Sequence, residues 1–204
     1  MSNTEWGPPP VRVFWGEMAP SDHIAHFYED EESFLATLAG FVAEGMEKGE
    51  SAIVIATPRH LAGLEQRLTK SGIDLASALL DERYIVLDAE AALATFMRRN
   101  WPDDQLFAEM VGNLIRRASR KGRGVRAFGE MVALLWANGQ REATIRLEHL
   151  WNTFCRNYGF CLLCSYPQAG FMKAPQQSIA EICGHHSRCL ANNWGTPAPA
   201  GEAA

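Results

Sequence analysis

The 204-residue sequence has the composition of an ordinary globular domain, with 47% hydrophobic and 21% charged residues. A formal net charge of -5 argues against broad electrostatic attraction to nucleic acid or to an anionic membrane. No stretch has the roughly 20 apolar residues that a membrane-spanning helix needs, so we expect neither a direct nucleic-acid partner nor a membrane association.

Three segments are predicted along the chain: an N-terminal arm over residues 1–20, a folded domain over 21–190, and a disordered tail over 191–204. Four prolines in the first twenty residues oppose regular structure, although Trp15 and its apolar neighbours are expected to pack on the body. Small residues with Pro197 and Pro199 dominate the tail, which favours disorder there.

Within the domain, short apolar runs alternate with helical patterns. The predicted strands cover residues 24–28, 51–56, 84–88, 125–129 and 160–166. Amphipathic helices are expected after Asp30, Thr57, Asp103 and about Glu142. The uninterrupted apolar run at 51–56 is typical of a strand covered on both faces. This alternation predicts a three-layer α/β/α fold with a mostly parallel central sheet.

A ligand site in such a sheet is expected just beyond the carboxyl ends of its strands. Polar or turn residues follow all five predicted strands, and most of them need no role beyond ending a strand. Glu29, Glu130 and Tyr166 are the stronger candidates, because loops at one edge could bring them together. The predicted ligand-binding set is Tyr28, Glu29, Phe128, Glu130, Glu148, Trp151 and Tyr166.

The first strand–helix turn argues against nucleotide binding. A phosphate-binding loop needs glycines, so that backbone amides can approach the phosphate, and a lysine for charge. Residues 28–32 instead read YEDEE, whose four carboxylates would repel a polyphosphate. No catalytic triad or dyad pattern stands out elsewhere. We therefore predict no ATP binding in the usual mode, no catalytic residues and no cofactor.

Several polar residues also have ordinary structural interpretations. Glu148 shares a predicted helix face with Trp151 and Asn152, and the favoured interpretation is a buried carboxylate bonded to Asn152 or to the backbone. His23 and His26 lie at the first strand, where a histidine is more often a satisfied core residue than a catalyst.

The cysteines leave a metal or thiol function open. Cys161 and Cys164 have C-x-x-C spacing, but residues three apart in a strand face opposite sides, which disfavours a shared metal. The alternative metal-binding set is Cys183, His186 and Cys189, which recur every three residues. A structural zinc site has four protein ligands, and His185 or Cys164 could supply the fourth.

The chain start and the cysteine count predict a cytoplasmic protein. Residues 1–6 have no basic segment followed by an apolar run, which a secretory signal would need. The five cysteines are odd in number and crowded into the last quarter of the chain. This pattern favours reduced thiols over a secreted disulfide framework.

Several ordered segments carry a family resemblance. The first are HIAHFYED at 23–30, FVAEGMEKGE at 41–50 and IVIATP at 53–58. The later ones are RAFGEM at 126–131, LEHLWN at 147–152, LLCSYP at 162–167 and ICGHHS at 182–187. In their order and separation, these segments resemble the MEDS family, the methanogen/methylotroph, DcmR sensory domain, over roughly His23 to Ser187.

The resemblance implies a non-catalytic sensory domain for small hydrophobic or hydrocarbon-derived signals, with a RecA/KaiC-type core that lacks the phosphate loop. Such domains occur beside histidine kinases, DNA-binding modules and anti-sigma-factor regulators, so bacterial signal transduction and transcription regulation are the expected setting. The family founder carries a helix-turn-helix module, for which this chain has no room. A partner protein, or a homodimer interface biased by the ligand, is therefore expected to transmit the signal.

Two alternatives to a sensory domain remain. One is a KaiC-like, nucleotide-binding ATPase, against which the acidic turn at 28–32 counts. The other is a thiol or metal sensor that uses the C-terminal cysteines and His186. Metal analysis of freshly purified protein separates the thiol or metal sensor from both the sensory domain and the ATPase.

Overall fold

A central six-stranded parallel sheet organises the computed structural model, which describes Trp15, residues 18–171 and residues 176–191. The strands are β1 (His23–Tyr28), β2 (Ser51–Ala56), β3 (Tyr84–Asp88), β4 (Met97–Arg98), β5 (Trp101–Pro102), β6 (Val125–Gly129), β7 (Cys161–Pro167) and β8 (Arg188–Ala191). The main sheet has the order β3-β2-β6-β7-β1-β8, and all its pairs are parallel. Strands β4 and β5 form a separate short antiparallel hairpin.

Helices cover both faces of the sheet. They are α1 (Glu31–Glu47), α2 (Pro58–Lys70), α3 (Leu75–Leu80), α4 (Ala89–Phe96), α5 (Asp104–Ala118), α6 (Met131–Ala137), α7 (Arg141–Tyr158) and α8 (Gln176–Gly184). The first three pack on one face, which we call the α1 face, and the other five contribute to the core on the opposite, α7 face. The predicted three-layer fold with a parallel sheet is therefore confirmed. Within the described ranges, no helix is both long and apolar enough to cross a membrane.

Aspartates begin several helices, as the sequence predicts for Asp30. The side chains of Asp30, Asp88 and Asp103 accept hydrogen bonds from the amides of Ser33, Ala91 and Leu106, at 2.8, 2.7 and 3.0 Å. Each bond satisfies an amide that the helix itself leaves unpaired. Helix α7 ends at Gly159, whose φ of 65° is the left-handed conformation that glycine adopts most readily.

Side-chain alternation along the strands separates two cores. On β7, Cys161 lies in the core of the α1 face, whereas Leu162 and Cys164 lie in the core of the α7 face. The prediction that Cys161 and Cys164 face opposite sides is confirmed. Alternate residues of a strand therefore contact the helices of opposite faces of the sheet.

A buried cation ties the chain before β1 to the α1 face. Arg126 is 2% exposed, pairs with Glu50, and donates to the carbonyl oxygens of Phe41 at 3.0 Å and Trp15 at 3.3 Å. The Trp15 ring packs edge-on against Phe41, with centroids 5.2 Å apart. Trp15 thus packs on the body as expected, while most of the predicted arm lies outside the described residues.

The C-terminal segment differs from expectation. Strand β8 was not predicted, because its four residues, RCLA, have no periodic apolar pattern; it pairs with the edge of β1. Cys183 and Cys189 form a disulfide, so the expectation of reduced thiols is wrong for these two. Cys155, Cys161 and Cys164 are free thiols. The predicted tail from Asn192 onward lies outside the described residues.

Candidate functional site

The strand order reverses at two places in the sheet. The connections after β1 and β2 run over the α1 face, whereas those after β6 and β7 run over the α7 face. Neighbouring strands therefore send their loops in opposite directions at β2/β6 and at β7/β1. Crevices for ligands open at the carboxyl ends of parallel strands at such reversals.

Glu130 occupies the first of these reversals. Its Oε2 accepts a hydrogen bond from the backbone amide of Thr57 at 2.8 Å, and its Oε1 lies 2.8 Å from Nδ1 of His60. The two side chains are 8% and 16% exposed. Because a carboxylate can only accept, the Nδ1 of His60 must carry the proton and donate it. The carboxylate thereby joins the end of β6 to the start of α2.

Aromatic rings adjoin this carboxylate. Phe34, which is buried, packs against Tyr28, His60 and Phe128, with centroids 4.7, 4.6 and 5.8 Å away. Burial raises the pKa of Tyr28 to about 12, and the charges of Glu130 and Glu31 act in the same direction. We call Tyr28, Phe34, Thr57, His60 and Glu130 the edge site.

The first turn of α1 has the acidic character that the sequence predicts. The Asp30 carboxylate accepts from the Ser33 amide at 2.8 Å, so this amide already has an anionic partner. Glu31 and Glu32 pair with Arg59 and Arg67 of α2. These contacts occupy the Ser33 amide and pair both arginines with carboxylates, whereas a phosphate would need free amides and unpaired positive charge.

A second polar group lies inside the core of the α7 face. Glu148 accepts a hydrogen bond from the Tyr166 hydroxyl, and its Oε2 lies 3.6 Å from the Cys164 thiol and 3.3 Å from Nε2 of His23. The Nε2 of His186 lies 3.4 Å from Oε1 of the same carboxylate. We call these five residues the buried cluster.

The ionisable groups of the buried cluster have pKa values shifted in different directions. Burial would raise the pKa of Glu148, but His186 and His23 outweigh it and hold that pKa below its usual range. Burial lowers the pKa of His23, whereas the Glu148 charge raises the pKa of His186 in spite of burial. Burial, together with the Glu148 charge, raises the pKa of the Cys164 thiol well above its ordinary value.

The seven predicted ligand-binding residues do not form one site. Tyr28 and Glu130 lie in the edge site, with Phe128 packed beneath them against Phe34. Glu148 and Tyr166 lie in the buried cluster on the other face of the sheet. Trp151 packs edge-on against Phe107 at 5.1 Å, in the same core. Glu29 is exposed.

Sequence reasoning missed the partners of both carboxylates. Glu130 binds His60, which no motif singled out, and Glu148 binds Tyr166, Cys164 and two histidines rather than Asn152 or the backbone. Strand alternation alone places Cys164 and Tyr166 on one face of β7. The strand order β7-β1-β8 was the further information needed to bring His23 and His186 to them. Of the alternative metal set, His186 lies in the buried cluster, while Cys183 and Cys189 are joined to each other.

Comparison with known proteins assigns a family. The model described as MEDS, MEthanogen/methylotroph, DcmR Sensory domain, matches residues 22–187 of the 204-residue chain. This match spans every strand of the main sheet except β8, and it includes the edge site and the buried cluster. No curated protein matches the sequence.

Proposed function

The chain belongs to the MEDS family of sensory domains, and we propose that it signals by binding a small amphipathic ligand at the edge site. One observation carries the proposal: the nearly buried Glu130 carboxylate lies at a strand-order reversal, beside aromatic rings. Its Oε1 accepts a hydrogen bond from His60. A reversal of this kind is where open parallel sheets bind their ligands. The proposed role is non-catalytic.

The chemistry of the edge site favours an apolar ligand with one hydrogen-bond donor. Tyr28, and Phe34 once the His60 ring moves away, would offer ring surface for an apolar body, and their stacking at 4.7 Å would hold that surface in place. Glu130 can only accept, so it favours a hydroxyl or an ammonium group over a carboxylate ligand. This description fits the small hydrophobic signals that the family resemblance implies.

His60 gives the proposed site two states. In the structure its Nδ1 donates to Oε1 of Glu130 while its ring covers Phe34 at 4.6 Å. A ligand donor that replaces Nδ1 would displace the imidazole, and with it the first turn of α2. The ligand then shifts the equilibrium by its differential affinity for the displaced state. A partner such as a histidine kinase or an anti-sigma-factor regulator, or a second copy of the chain, would receive this change in the cytoplasm.

The test is a thermal-shift screen of the full chain with a panel of short- and medium-chain primary alcohols and amines. Glu130→Gln should abolish the stabilisation that the best compound gives. His60→Ala should increase the affinity, because the competing donor and cover are gone. Glu90→Gln, a change at an exposed carboxylate of α4, is the control and should respond as the unmodified protein does.

The two variants make the outcomes distinct. Opposite effects of Glu130→Gln and His60→Ala on affinity support the edge site. Equal affinity in both variants, or no stabilisation by any compound, contradicts it. Tight binding of magnesium-ATP, measured by calorimetry, would favour the ATPase alternative. It would do so even though the Asp30 carboxylate already occupies the Ser33 amide.

A further inference from the structure

The buried cluster contains a set of metal-ligand atoms drawn from four parts of the chain. His23 lies on β1, Glu148 on α7, Cys164 on β7, and His186 in the connection from α8 to β8. One ligand atom from each lies within 4.8 Å of the other three. All four side chains are buried. We propose that His23, Glu148, Cys164 and His186 bind one divalent transition-metal ion, with zinc preferred.

The separations around Oε2 of Glu148 match those of a tetrahedral site. Nitrogen and oxygen ligands about 2.0–2.1 Å from a tetrahedral ion lie about 3.3–3.4 Å apart, and a sulfur ligand lies about 3.6 Å from them. Oε2 of Glu148 lies 3.3 Å from Nε2 of His23 and 3.6 Å from the sulfur of Cys164, and the other oxygen, Oε1, lies 3.4 Å from Nε2 of His186. Nε2 of His23 lies 3.4 Å from the sulfur of Cys164.

His186 is oriented as a ligand. Its Nδ1 lies 2.7 Å from the carbonyl oxygen of Ile182, to which it can only donate, so Nε2 points into the cluster. Among the described residues, this buried Nε2 has no hydrogen-bond partner. If His186 is protonated, it forms an ion pair with Oε1 of Glu148 at 3.4 Å, but in this geometry its Nε2 makes no hydrogen bond. A metal ion gives the nitrogen a partner, and a carbonyl-bound Nδ1 is the usual outer contact of a metal-binding histidine.

Charge balance selects the ion. Two neutral imidazoles, the Glu148 carboxylate and a Cys164 thiolate carry two negative charges, which one divalent ion neutralises in the buried site. The thiol proton leaves to solvent when the metal binds. Mixed nitrogen, oxygen and sulfur donors with four closed positions suit zinc better than magnesium or calcium, which take oxygen ligands. The Tyr166 hydroxyl, bonded to Glu148, would hold the carboxylate in place.

The site would fasten the C-terminal segment to the sheet. Three ligands come from the sheet and α7, whereas His186 comes from the stretch that leads into β8. Ser187 beside it already bonds β1: its amide donates to the His23 carbonyl oxygen at 2.7 Å. A bound metal would therefore stabilise the docking of β8 on β1. This inference concerns the opposite face of the sheet from the edge site and is independent of the proposed ligand.

Cobalt titration of the chelator-treated full chain tests the proposal. One equivalent of Co²⁺ should bind with a cobalt–thiolate charge-transfer band in the near ultraviolet, and Zn²⁺ should displace it. Cys164→Ser should lose this band, and His186→Gln should bind at least about 10-fold more weakly. Cys161→Ser, a buried cysteine on the other face of the same strand, is the matched control and should keep the band.

Two further results decide the assignment. A Cys183→Ser, Cys189→Ser double variant should retain the band, since the proposal draws no ligand from that pair. Failure of the unmodified, folded protein to bind Co²⁺ or Zn²⁺ would overturn the site even if Cys164→Ser does not fold. Loss of the band in the double variant, or its persistence in Cys164→Ser, would also overturn it.

Discussion

The backbone amide of Thr57 donates a 2.8 Å hydrogen bond to the carboxylate of Glu130, which connects the residue after β2 to the residue after β6. These strands are neighbours in the sheet although 73 residues separate the bonded pair. The contact holds the edge site together without any ligand. It also makes the site sensitive to the charge of a single side chain.

Glu130→Gln should destabilise the protein. Bonds from Thr57 and His60 to a carboxylate are charge-assisted, and an amide in its place directs a donor group at one of them. We expect the free energy of unfolding to fall by about 1–2 kcal/mol in urea titrations. The control Glu90→Gln should stay within about 0.5 kcal/mol of the unmodified protein. Equal stability of the two variants would mean that these bonds contribute little.

Tyr166→Phe should destabilise the buried cluster. The substitution keeps the ring but removes the hydroxyl that donates to the ionised, fully buried Glu148. The expected loss is about 1–3 kcal/mol, measured by chemical denaturation without added metal. Tyr158→Phe is the matched control, because Tyr158 is 56% exposed. A neutral effect of Tyr166→Phe would show that Glu148 has sufficient donors without the hydroxyl.

Two glycine-to-alanine changes within helices should have opposite effects. A Cβ at Gly45 would lie 2.5 Å from Cδ of the buried Arg126, which is held by its hydrogen bonds. We expect Gly45→Ala to lower the melting temperature, at a cost of about 1–3 kcal/mol. A Cβ at Gly112 meets no described atom within 4 Å, so Gly112→Ala should stabilise by about 0.5–1 kcal/mol. Stabilisation by both changes would indicate that Arg126 is not held in place.

His26 should make stability depend on pH. Burial lowers its pKa to about 4, so the unfolded chain takes up the proton first as the pH falls. The free energy of unfolding is unaffected by His26 above a pH of about 6.5. As the pH falls from about 6.5 to about 4, protonation of His26 in the unfolded chain lowers that free energy by up to about 3 kcal/mol. The His26→Gln variant should lack this component. Denaturation curves across that pH range, compared between the two proteins, measure it; parallel pH profiles would contradict the prediction.

The sequence predicts the main sheet well because its strands are apolar runs of the right length. All five predicted strands are present, and Asp30 begins α1 as expected. Strand β8 has only four residues, RCLA, too few for an apolar alternation to be read, and the Cys183–Cys189 disulfide lies in the same segment. Such features are determined by long-range packing rather than by periodicity.

The candidate sites were predictable only in part. Tyr28 ends β1 and Glu130 follows β6, so the rule that ligands bind at the carboxyl ends of strands brings both into the proposed edge site without knowledge of strand order. Tyr166 and Glu130 were expected to meet, but β7 directs the Tyr166 side chain to the α7 face, away from the edge site. His60 lies on a helix with no distinguishing motif. Its role depends on the packing of α2 against Phe34.

Heteronuclear NMR of the labelled full chain, titrated with the panel compound that stabilises it most, tests the edge site most directly. The Thr57 amide donates to Glu130, so its resonance reports on that carboxylate. The His60 imidazole, bonded to the same carboxylate, supplies a second reporter. We predict that saturable shifts centre on Thr57, His60 and the Tyr28 ring. Shifts centred instead on the surface depression at Trp101, Gln140 and Arg141, with Thr57 and His60 unchanged, would contradict the account.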